Sequence, residues 1–244
     1  MARIPRVFVH APLVAGQRLT LEGEDAAHLG RVLRVRAGAA VTLFDGSGSE
    51  FAGEVLAATR RSIELAVGRG RVVDRESPLV LVLLQGVCRH ERMDWVVRKA
   101  TELGVTTIQP VQTERSVVKL DPARIPSRIE HWRAIAISAC EQCGRNTLPD
   151  ILPPQPVTAA LSVHQDVTGV LLDPDAAGGP ETLPRPPGPL CLLVGPEGGL
   201  DERERAAAHA AGYIGIRLGP RILRTETAAL TGLTLLQARF GDLR

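Results

Sequence analysis

Two short stretches near the end of the chain hold the residue types best suited to binding a ligand. "LLVGPEGGLDERE" (192–204) runs from an apolar segment through Gly-Pro-Glu-Gly-Gly into a charged segment. "IRLGPRILRTETAAL" (216–230) repeats the order of strand, Gly-Pro turn and helix. Neither has the lysine of GxxxxGK[ST] or the spacing of GxGxxG, which argues against a nucleoside triphosphate or a dinucleotide. Glycines such as Gly195, Gly198 and Gly199 instead let the main chain approach a flat ligand and hydrogen-bond its edge.

The two turns are called here the GPEGG loop (195–199) and the LGPR loop (218–224). Both follow predicted strands, and ligands of open parallel sheets collect at the carboxyl ends of strands. A Gly-Pro pair can also simply end a strand, but two in succession, each followed by polar residues, favour a pocket. Arg221 and Arg224 flank "IL" at the expected mouth of this pocket, where a solvated and a functional role both stay open.

Polar residues at the starts of the two following helices have a local explanation. Asp201 and Glu204 have the spacing of a capping box, so we interpret them as helix caps. Thr225 and Thr227 are expected to cap the last helix in the same way.

The elements that must position these loops alternate between strands and helices. Apolar runs bounded by Gly or Pro predict strands at 79–84, 105–111, 170–172, 190–194 and 214–218. Helical patterns lie between most of them, at 91–103, 127–143, 201–211 and 225–240. Fully apolar strands that alternate with helices predict an α/β domain with a parallel sheet covered on both faces. We expect the Pro- and Gly-rich segment 149–189 to be an irregular connection around its one strand.

The first part of the chain has a different pattern. Residues 1–72 contain five short alternating or β-branched runs, and Asp45-Gly46 is a strong turn signal. One segment, "GEDAAHLGRVLRV" (23–35), has apolar residues at helical spacing. Five strands and a helix predict a small β-barrel, so we divide the chain into domains at 1–72 and 73–244.

Composition limits the classes of function without selecting one. The net charge of +2 is nearly neutral, so any nucleic-acid surface must be local. The start "ARIPRVFV" lacks the apolar region of a signal peptide, and no run reaches the roughly 18 apolar residues of a membrane span. We therefore expect a cytoplasmic protein without membrane contact. Cys140 and Cys143 form a CxxC pair without a second pair at zinc-ribbon spacing, so we expect ordinary thiols and no metal site.

Several short motifs together resemble one known family. "GPEGG" and "LGPRILRTETA" look like the carboxyl-terminal signature of the SPOUT methyltransferases, and more narrowly of the RsmE family, which methylates N3 of a uridine in 16S ribosomal RNA. Motifs in the same order extend over the whole chain, among them "HLGRVLRV" (28–35), "KATELGV" (99–105), "ACEQCGR" (139–145) and "FGDL" (240–243). Agreement in this order is far more specific than GPEGG alone.

The resemblance implies a PUA-like amino-terminal β-barrel joined to a SPOUT domain with a deep carboxyl-terminal trefoil knot. Knots are almost absent from proteins, so pattern alone could not predict this one. The resemblance also implies S-adenosylmethionine as cofactor, a homodimer built around the last helix (225–240), and 16S rRNA of the 30S subunit as partner. By motif, the cofactor-binding residues would be Leu172, Gly195, Pro196, Glu197, Gly198, Gly199, Leu218, Gly219, Ile222, Leu223, Thr225 and Thr227. This cofactor has no phosphate, so neither loop needs a phosphate-binding lysine.

The implied reaction suggests catalytic roles. Uracil N3 becomes nucleophilic as its proton leaves, and the negative charge then spreads onto O2 and O4. A guanidinium near these oxygens would stabilise that charge, and Arg224 is the first candidate, with Arg221 the second. Glu197 and Glu226 are the candidate proton acceptors, with bulk solvent as the alternative, and the sequence does not decide among them.

RNA contacts are expected on both domains. His28, Arg31 and Arg34 recur every three residues on one helical segment, which places them on one face. A solvated face is the usual explanation of such a set, but beside a PUA-like domain phosphate contact becomes the better interpretation. Further basic candidates are Lys99, Arg115, Lys119 and Arg145. At "CEQCGR" (140–145), a structural or dimer role competes with substrate contact.

Two alternatives remain beside the RsmE-like enzyme. One is a SPOUT methyltransferase that acts on another RNA position, and the other is a non-catalytic RNA-binding or assembly factor. Both cofactor motifs are intact, which argues against the second alternative, because cofactor loops should decay once catalysis is lost. A cofactor titration separates the factor from the enzymes.

Overall fold

The structure, a computed structural model, describes residues 4–23, 36–59 and 61–243. The chain forms two compact units, one of residues 1–76 with 140–148 and one of residues 77–139 with 149–244. The first boundary therefore lies at Glu76 rather than at residue 72. Residues 140–148 belong with the first unit because they bond to its first strand: Phe8 N donates to Glu141 Oε1 (3.1 Å), and Arg6 Nη2 donates to Asn146 Oδ1 (2.6 Å).

The first unit contains a five-stranded sheet. Its strands are β1 (Arg6–Phe8), β2 (Arg18–Glu22), β3 (Ala40–Phe44), β4 (Ser49–Ala58) and β5 (Ser62–Val72), in the order β1-β3-β4-β5-β2. All neighbouring pairs are antiparallel except β1 with β3. Alternation decides which face is buried: in β5, Ile63, Leu65 and Val67 point into the core. The β-rich amino-terminal domain is thus confirmed, whereas the predicted helix lies almost wholly outside the described residues, as do His28, Arg31 and Arg34.

A buried carboxylate joins three arginines of the first unit. Glu50 on β4 is 4% exposed and lies 2.8 Å from Arg6, 2.6 Å from Arg71 and 3.0 Å from Arg75. Burial by itself raises the pKa of Glu50, but the hydrogen bonds from the three guanidinium groups outweigh it and lower the pKa from 4.5 to about 2. Because the pKa is lower in the folded protein, the carboxylate stabilises the fold above about pH 4.5 and less and less as the pH falls towards 2.

The lowered pKa of Glu50 gives a testable prediction. Glu50→Gln is expected to lower the free energy of unfolding at neutral pH by about 1.5–3 kcal/mol, the range for hydrogen bonds to charged groups. The difference from wild type should shrink between pH 4.5 and pH 2, as measured by urea unfolding at a series of pH values. Glu54→Gln, on the exposed side of the same strand, is the matched control. A difference that stayed constant down to pH 2 would contradict the assignment.

The second unit contains a parallel sheet and its covering helices. Its strands are β6 (Leu81–Gly86), β7 (Thr107–Gln112), β8 (Asp150–Ile151), β9 (Gln155–Pro156), β10 (Thr168–Leu172), β11 (Leu190–Val194) and β12 (Ile214–Ile216). The helices are α1 (His90–Glu102), α2 (Ile125–Cys143, whose residues from Cys140 on belong to the first unit), α3 (Val157–Val163), α4 (Glu202–Ala210) and α5 (Thr225–Phe240). The strand order is β12-β10-β11-β6-β7-β8, with β9 also beside β7, and every pair is parallel.

Both faces of this sheet are covered, as predicted. Leu81 and Leu83 of β6 point into a core shared with α1, α2 and α5. Val82 and Leu84 point into a second core, shared with α3 and α4. The sheet is therefore buried on both sides, which is why its strands read as continuous apolar runs.

The segment 149–189 is more ordered than predicted. Besides β10 it contains β8, β9 and α3, a helix of seven residues whose Val157, Ala160 and Leu161 are buried. This spacing is helical, but about two turns directly after a proline are too short for periodicity to be recognised. Among the described residues, none of the helices has the length and apolar character needed to cross a bilayer. The trefoil knot stays a prediction.

Candidate active site

A cavity of about 470 Å³ opens where β10, β11 and β12 end. β10 pairs with both other strands, so their carboxyl ends lie side by side. Aliphatic side chains form its walls, namely Leu172, Val194, Leu200, Ile216, Leu218, Leu223 and Ala228. Arginines at the cavity are Arg92, Arg115, Arg205, Arg217, Arg221 and Arg224, and Asp173 and Glu197 are its acids. This volume lies within the roughly 300–1,000 Å³ of small-molecule sites.

The structure brings almost all of the predicted cofactor residues together around this cavity. The GPEGG loop, Leu172, Thr225 and all of the LGPR loop except Pro220 contribute to its lining. Thr227 does not line the cavity and is exposed on α5, which goes against a role for its side chain in cofactor binding. Ile222 lines the cavity but is 80% exposed in the isolated chain.

Close contacts within the protein and backbone conformation favour glycine in the GPEGG loop. A Cβ on Gly198 would lie 2.8 Å from the Arg115 carbonyl oxygen, and one on Gly195 would lie 3.0 Å from Leu200 N. Gly199 has a φ of +70°, a conformation that favours glycine. Gly86, at the end of β6, is tighter than the glycines of the loop, because its Cβ would lie 2.3 Å from Pro196 N.

Thr225 ties the two loops together and is not the helix cap that the sequence predicts. The cap of α5 is Arg224, without a side-chain bond. The Thr225 hydroxyl instead donates to the Gly195 carbonyl (2.6 Å) and accepts from Gln85 Nε2 (2.9 Å). Gln85 is fully buried near the end of β6, and the sequence analysis did not predict a role for it. Its one signal was an amide within the apolar run "LVLLQG" (81–86).

The capping box at the start of α4 is confirmed, and it also orders a neighbouring segment. Asp201 accepts from Glu204 N (2.7 Å), and Glu204 accepts from Asp201 N (2.8 Å). Glu204 is buried and accepts a further bond from Glu114 N (2.8 Å). Glu204 thereby fixes the loop that brings Arg115 to the cavity.

The two glutamates predicted as proton acceptors both contact Arg92. Glu197 Oε1 accepts from Arg92 Nη1 (3.0 Å) and from Arg89 N (3.1 Å). Glu226 Oε1 lies 3.7 Å from Arg92 Nε. Cys88 is buried next to them: burial, and then the charges of Glu197 and Glu226, raise the pKa of its thiol to about 12. Arg92 lines the cavity but was not predicted as a site residue, because it lies in no recognisable motif.

The remaining basic candidates have unequal surroundings. Arg221, Arg224, Arg115 and Lys119 are exposed, the first three at the cavity. Lys99 bonds to Glu102 (2.8 Å) and lies over the Trp95 ring. Arg145 is 5% exposed and bonds to Glu76 at 2.8 Å, so its predicted RNA contact does not fit the structure. A long cationic side chain just after a helix is typical of a surface residue, but Arg145, two residues beyond α2, is part of the packing of the first unit.

Comparison with known proteins gives consistent matches over the whole chain. The RNA methyltransferase domain family matches residues 75–237, and the RNA methyltransferase PUA domain family matches residues 21–68. The ribosomal RNA small subunit methyltransferase E of Buchnera aphidicola (subspecies Schizaphis graminum) is 34% identical over 99% of this chain and 98% of its own. Its counterpart in Bacillus subtilis is 30% identical over 92% and 91% of the two chains.

A solved structure extends these matches to the fold. The crystal structure of a ribosomal RNA small subunit methyltransferase E from Neisseria gonorrhoeae bound to S-adenosyl methionine superimposes with a TM-score of 0.91 at 37% identity. The superposition covers 99% of this chain and all of the other. Both units and the strand ends that form the cavity are therefore part of the shared fold.

Proposed function

This chain belongs to the ribosomal RNA small subunit methyltransferase E family, and we propose that it transfers a methyl group from S-adenosylmethionine to N3 of a uridine in 16S rRNA. It is an S-adenosylmethionine-dependent rRNA methyltransferase of mixed β and α/β architecture. The observation that carries the proposal is the cavity at the strand ends, in a chain that matches over 99% of its length a relative crystallised with this cofactor.

The lining of the cavity fits S-adenosylmethionine. Aliphatic side chains such as Leu172, Leu218 and Leu223 can enclose an adenine ring, and the main chain of the GPEGG and LGPR loops can hydrogen-bond its edge. Asp173, 9% exposed at the end of β10, offers a carboxylate to a hydroxyl or ammonium group. When bound, the cofactor supplies an electrophilic methyl group on a sulfonium, so the protein must orient a nucleophile and exclude water.

The charged groups at the cavity suit methyl transfer to a ring nitrogen that must lose a proton. We assign stabilisation of the charge on the uracil oxygens to Arg224, with Arg221 as the second candidate, because both are exposed at the cavity. Glu197 and Glu226 are the candidate acceptors for the proton. RNA phosphates are expected to meet Arg115, Lys119 and Lys99, together with His28, Arg31 and Arg34 of the first unit. Ribosomal RNA as substrate also favours a cytoplasmic location.

The test is modification mapping of 16S rRNA from cells that lack the protein, with and without its return. A methyl group on N3 blocks Watson–Crick pairing, so reverse transcription should stop at one uridine only when the protein is present. A protein-dependent stop elsewhere would identify another RNA position. No stop, together with no cofactor binding by the purified protein, would favour the non-catalytic factor.

We also propose that the working form is a homodimer built around α5. Leu235 of α5 and Trp95 of α1 are large apolar side chains exposed in the isolated chain, and these two helices pack against each other. Sedimentation equilibrium at micromolar concentration is expected to give twice the mass of one chain. Leu235→Glu should shift the protein towards monomer because it places a charge on the apolar surface. A wild-type monomer with full activity would refute the dimer.

A further inference from the structure

A cluster of two carboxylates and one guanidinium lies between α1, the GPEGG loop and α5. Arg92 contacts Glu197 at 3.0 Å through Nη1 and Glu226 at 3.7 Å through Nε. The amino end of α1 adds a backbone donor, Arg89 N, to the Glu197 carboxylate. Two acids and one base leave the cluster with one excess negative charge.

Each of the two carboxylates has a second oxygen that lacks a hydrogen-bond donor. Oε2 of Glu197 and Oε2 of Glu226 are buried and have no hydrogen-bond partner among the described residues. Unpaired buried acceptors are rare in folded proteins, so each of these oxygens requires a donor from outside the protein, either water or a bound molecule. Glu197 lines the cavity, whereas Glu226 is not among its lining residues. Of the two carboxylates, Glu197 is therefore the one that borders a ligand in the cavity.

We propose, on the basis of the function proposed above, that Glu197 accepts the N3 proton of the target uracil and that Arg92 and Glu226 are its positioning residues. Arg89 N and Arg92 occupy Oε1 and leave Oε2 for the proton. As the proton moves to Oε2, the N3 electron pair forms the bond to the methyl carbon. The methyl–sulfur bond breaks with its electrons staying on sulfur, and the protonated Glu197 then returns its proton to solvent.

The surroundings of Glu197 determine how its proton affinity responds to mutation. The titratable and charged groups around it are Cys88 after β6, Arg92 on α1, Glu226 on α5, and the cavity residues Arg115, Asp173, Arg205, Arg217, Arg221 and Arg224. Loss of Arg92 would remove the cation that contacts both carboxylates, and loss of the Glu226 charge would remove a neighbouring negative charge.

The first measurement is the turnover of Glu197→Gln at saturating cofactor and RNA. Glutamine keeps an Oε1 acceptor for Arg89 N but cannot take a proton, so kcat is expected to fall on the order of 10²–10⁴-fold. Affinity for S-adenosylmethionine, measured by calorimetry, should change by less than about threefold, a shift small beside a lost catalytic proton transfer. Glu202→Gln, an exposed position on the first turn of α4, is the matched control and should retain wild-type turnover.

The second measurement separates positioning from a merely structural role. The acid limb of the pH–rate profile should move to higher pH in Arg92→Gln and to lower pH in Glu226→Gln, because a neighbouring cation favours the charged carboxylate and a neighbouring anion disfavours it. Protein labelled with ¹³C at its glutamate carboxyls reports the same opposite shifts without turnover, and Glu197→Gln identifies the resonance. A structural defect would lower rates in both variants without shifting the profiles in opposite directions.

The outcomes distinguish this proposal from the function on which it rests. If wild type leaves no N3-methyluridine in 16S rRNA, the proposed function fails. If wild type methylates and Glu197→Gln keeps near-normal turnover, Glu197 is not the proton acceptor. If Glu197→Gln is inactive but the profiles of Arg92→Gln and Glu226→Gln shift in the same direction, the roles assigned to Arg92 and Glu226 are wrong.

Discussion

Arg224→Ala is expected to lower single-turnover methylation of 16S rRNA on the order of 10²–10³-fold, the loss typical of removing one donor to a developing oxyanion. Arg224 is the last residue of the LGPR loop and the N-cap residue of α5, and it is an exposed residue that lines the cavity. The charge on uracil O2 and O4 exists chiefly in the transition state. Loss of the Arg224 guanidinium should therefore lower turnover far more than it weakens binding of either ligand.

Lysine at position 224 should rescue turnover only in part, because a point charge cannot span N3 and a flanking oxygen as a planar fork can. The measurement is single-turnover methylation of 16S rRNA or 30S particles, detected as a reverse-transcription stop, for wild type, Arg224→Ala and Arg224→Lys. Arg203→Ala, exposed on α4, is a matched control for loss of one positive charge. Near-normal turnover with weakened cofactor binding would make Arg224 a cofactor-loop residue rather than a catalyst.

The features that were predictable from the sequence are those encoded within one short stretch. The apolar runs of β6 and β11, the capping box at Asp201 and Glu204, and the GPEGG and LGPR loops each follow from neighbouring residues. Strand ends of a parallel sheet meet at one edge, so the position of the cavity followed as well. The local pattern was therefore enough to find the pocket.

The features that were missed depend on residues far apart in the chain. The bond from Gln85 to Thr225 spans 140 positions, and that from Arg92 to Glu197 spans 105. A threonine at a helix start predicts a cap by itself, and only the contact with Gly195 shows its other use. Arg145 was predicted to bind RNA because an arginine is ordinarily solvated, and its burial against Glu76 depends on tertiary packing.

Gly86 also depends on contacts with residues far away in the chain, and its replacement should have a large effect. A Cβ there would lie 2.3 Å from Pro196 N, 2.6 Å from Pro196 Cδ and 2.7 Å from the Gly195 carbonyl carbon. Two of these atoms are backbone, so no side-chain rotation can relieve the clash and the GPEGG loop must move. Gly86 has no positive φ, so alanine is strained by contact alone.

We expect Gly86→Ala to abolish measurable binding of S-adenosylmethionine and to lower methylation at least on the order of 10²-fold, since a displacement of about 1 Å in an active site can cost that much. The bond from Thr225 to the Gly195 carbonyl should break as the loop shifts, which uncouples it from the LGPR loop. Overpacking of this kind lowers the free energy of unfolding by about 1–3 kcal/mol, so the variant should still fold.

Calorimetry with the cofactor measures the loss of binding of Gly86→Ala, and urea unfolding of the same samples measures its stability. Gly188→Ala is the control, because a Cβ at that glycine meets nothing within 4 Å. If Gly86→Ala bound the cofactor as wild type does, the close approach of β6 to the GPEGG loop would not be what shapes the cofactor site.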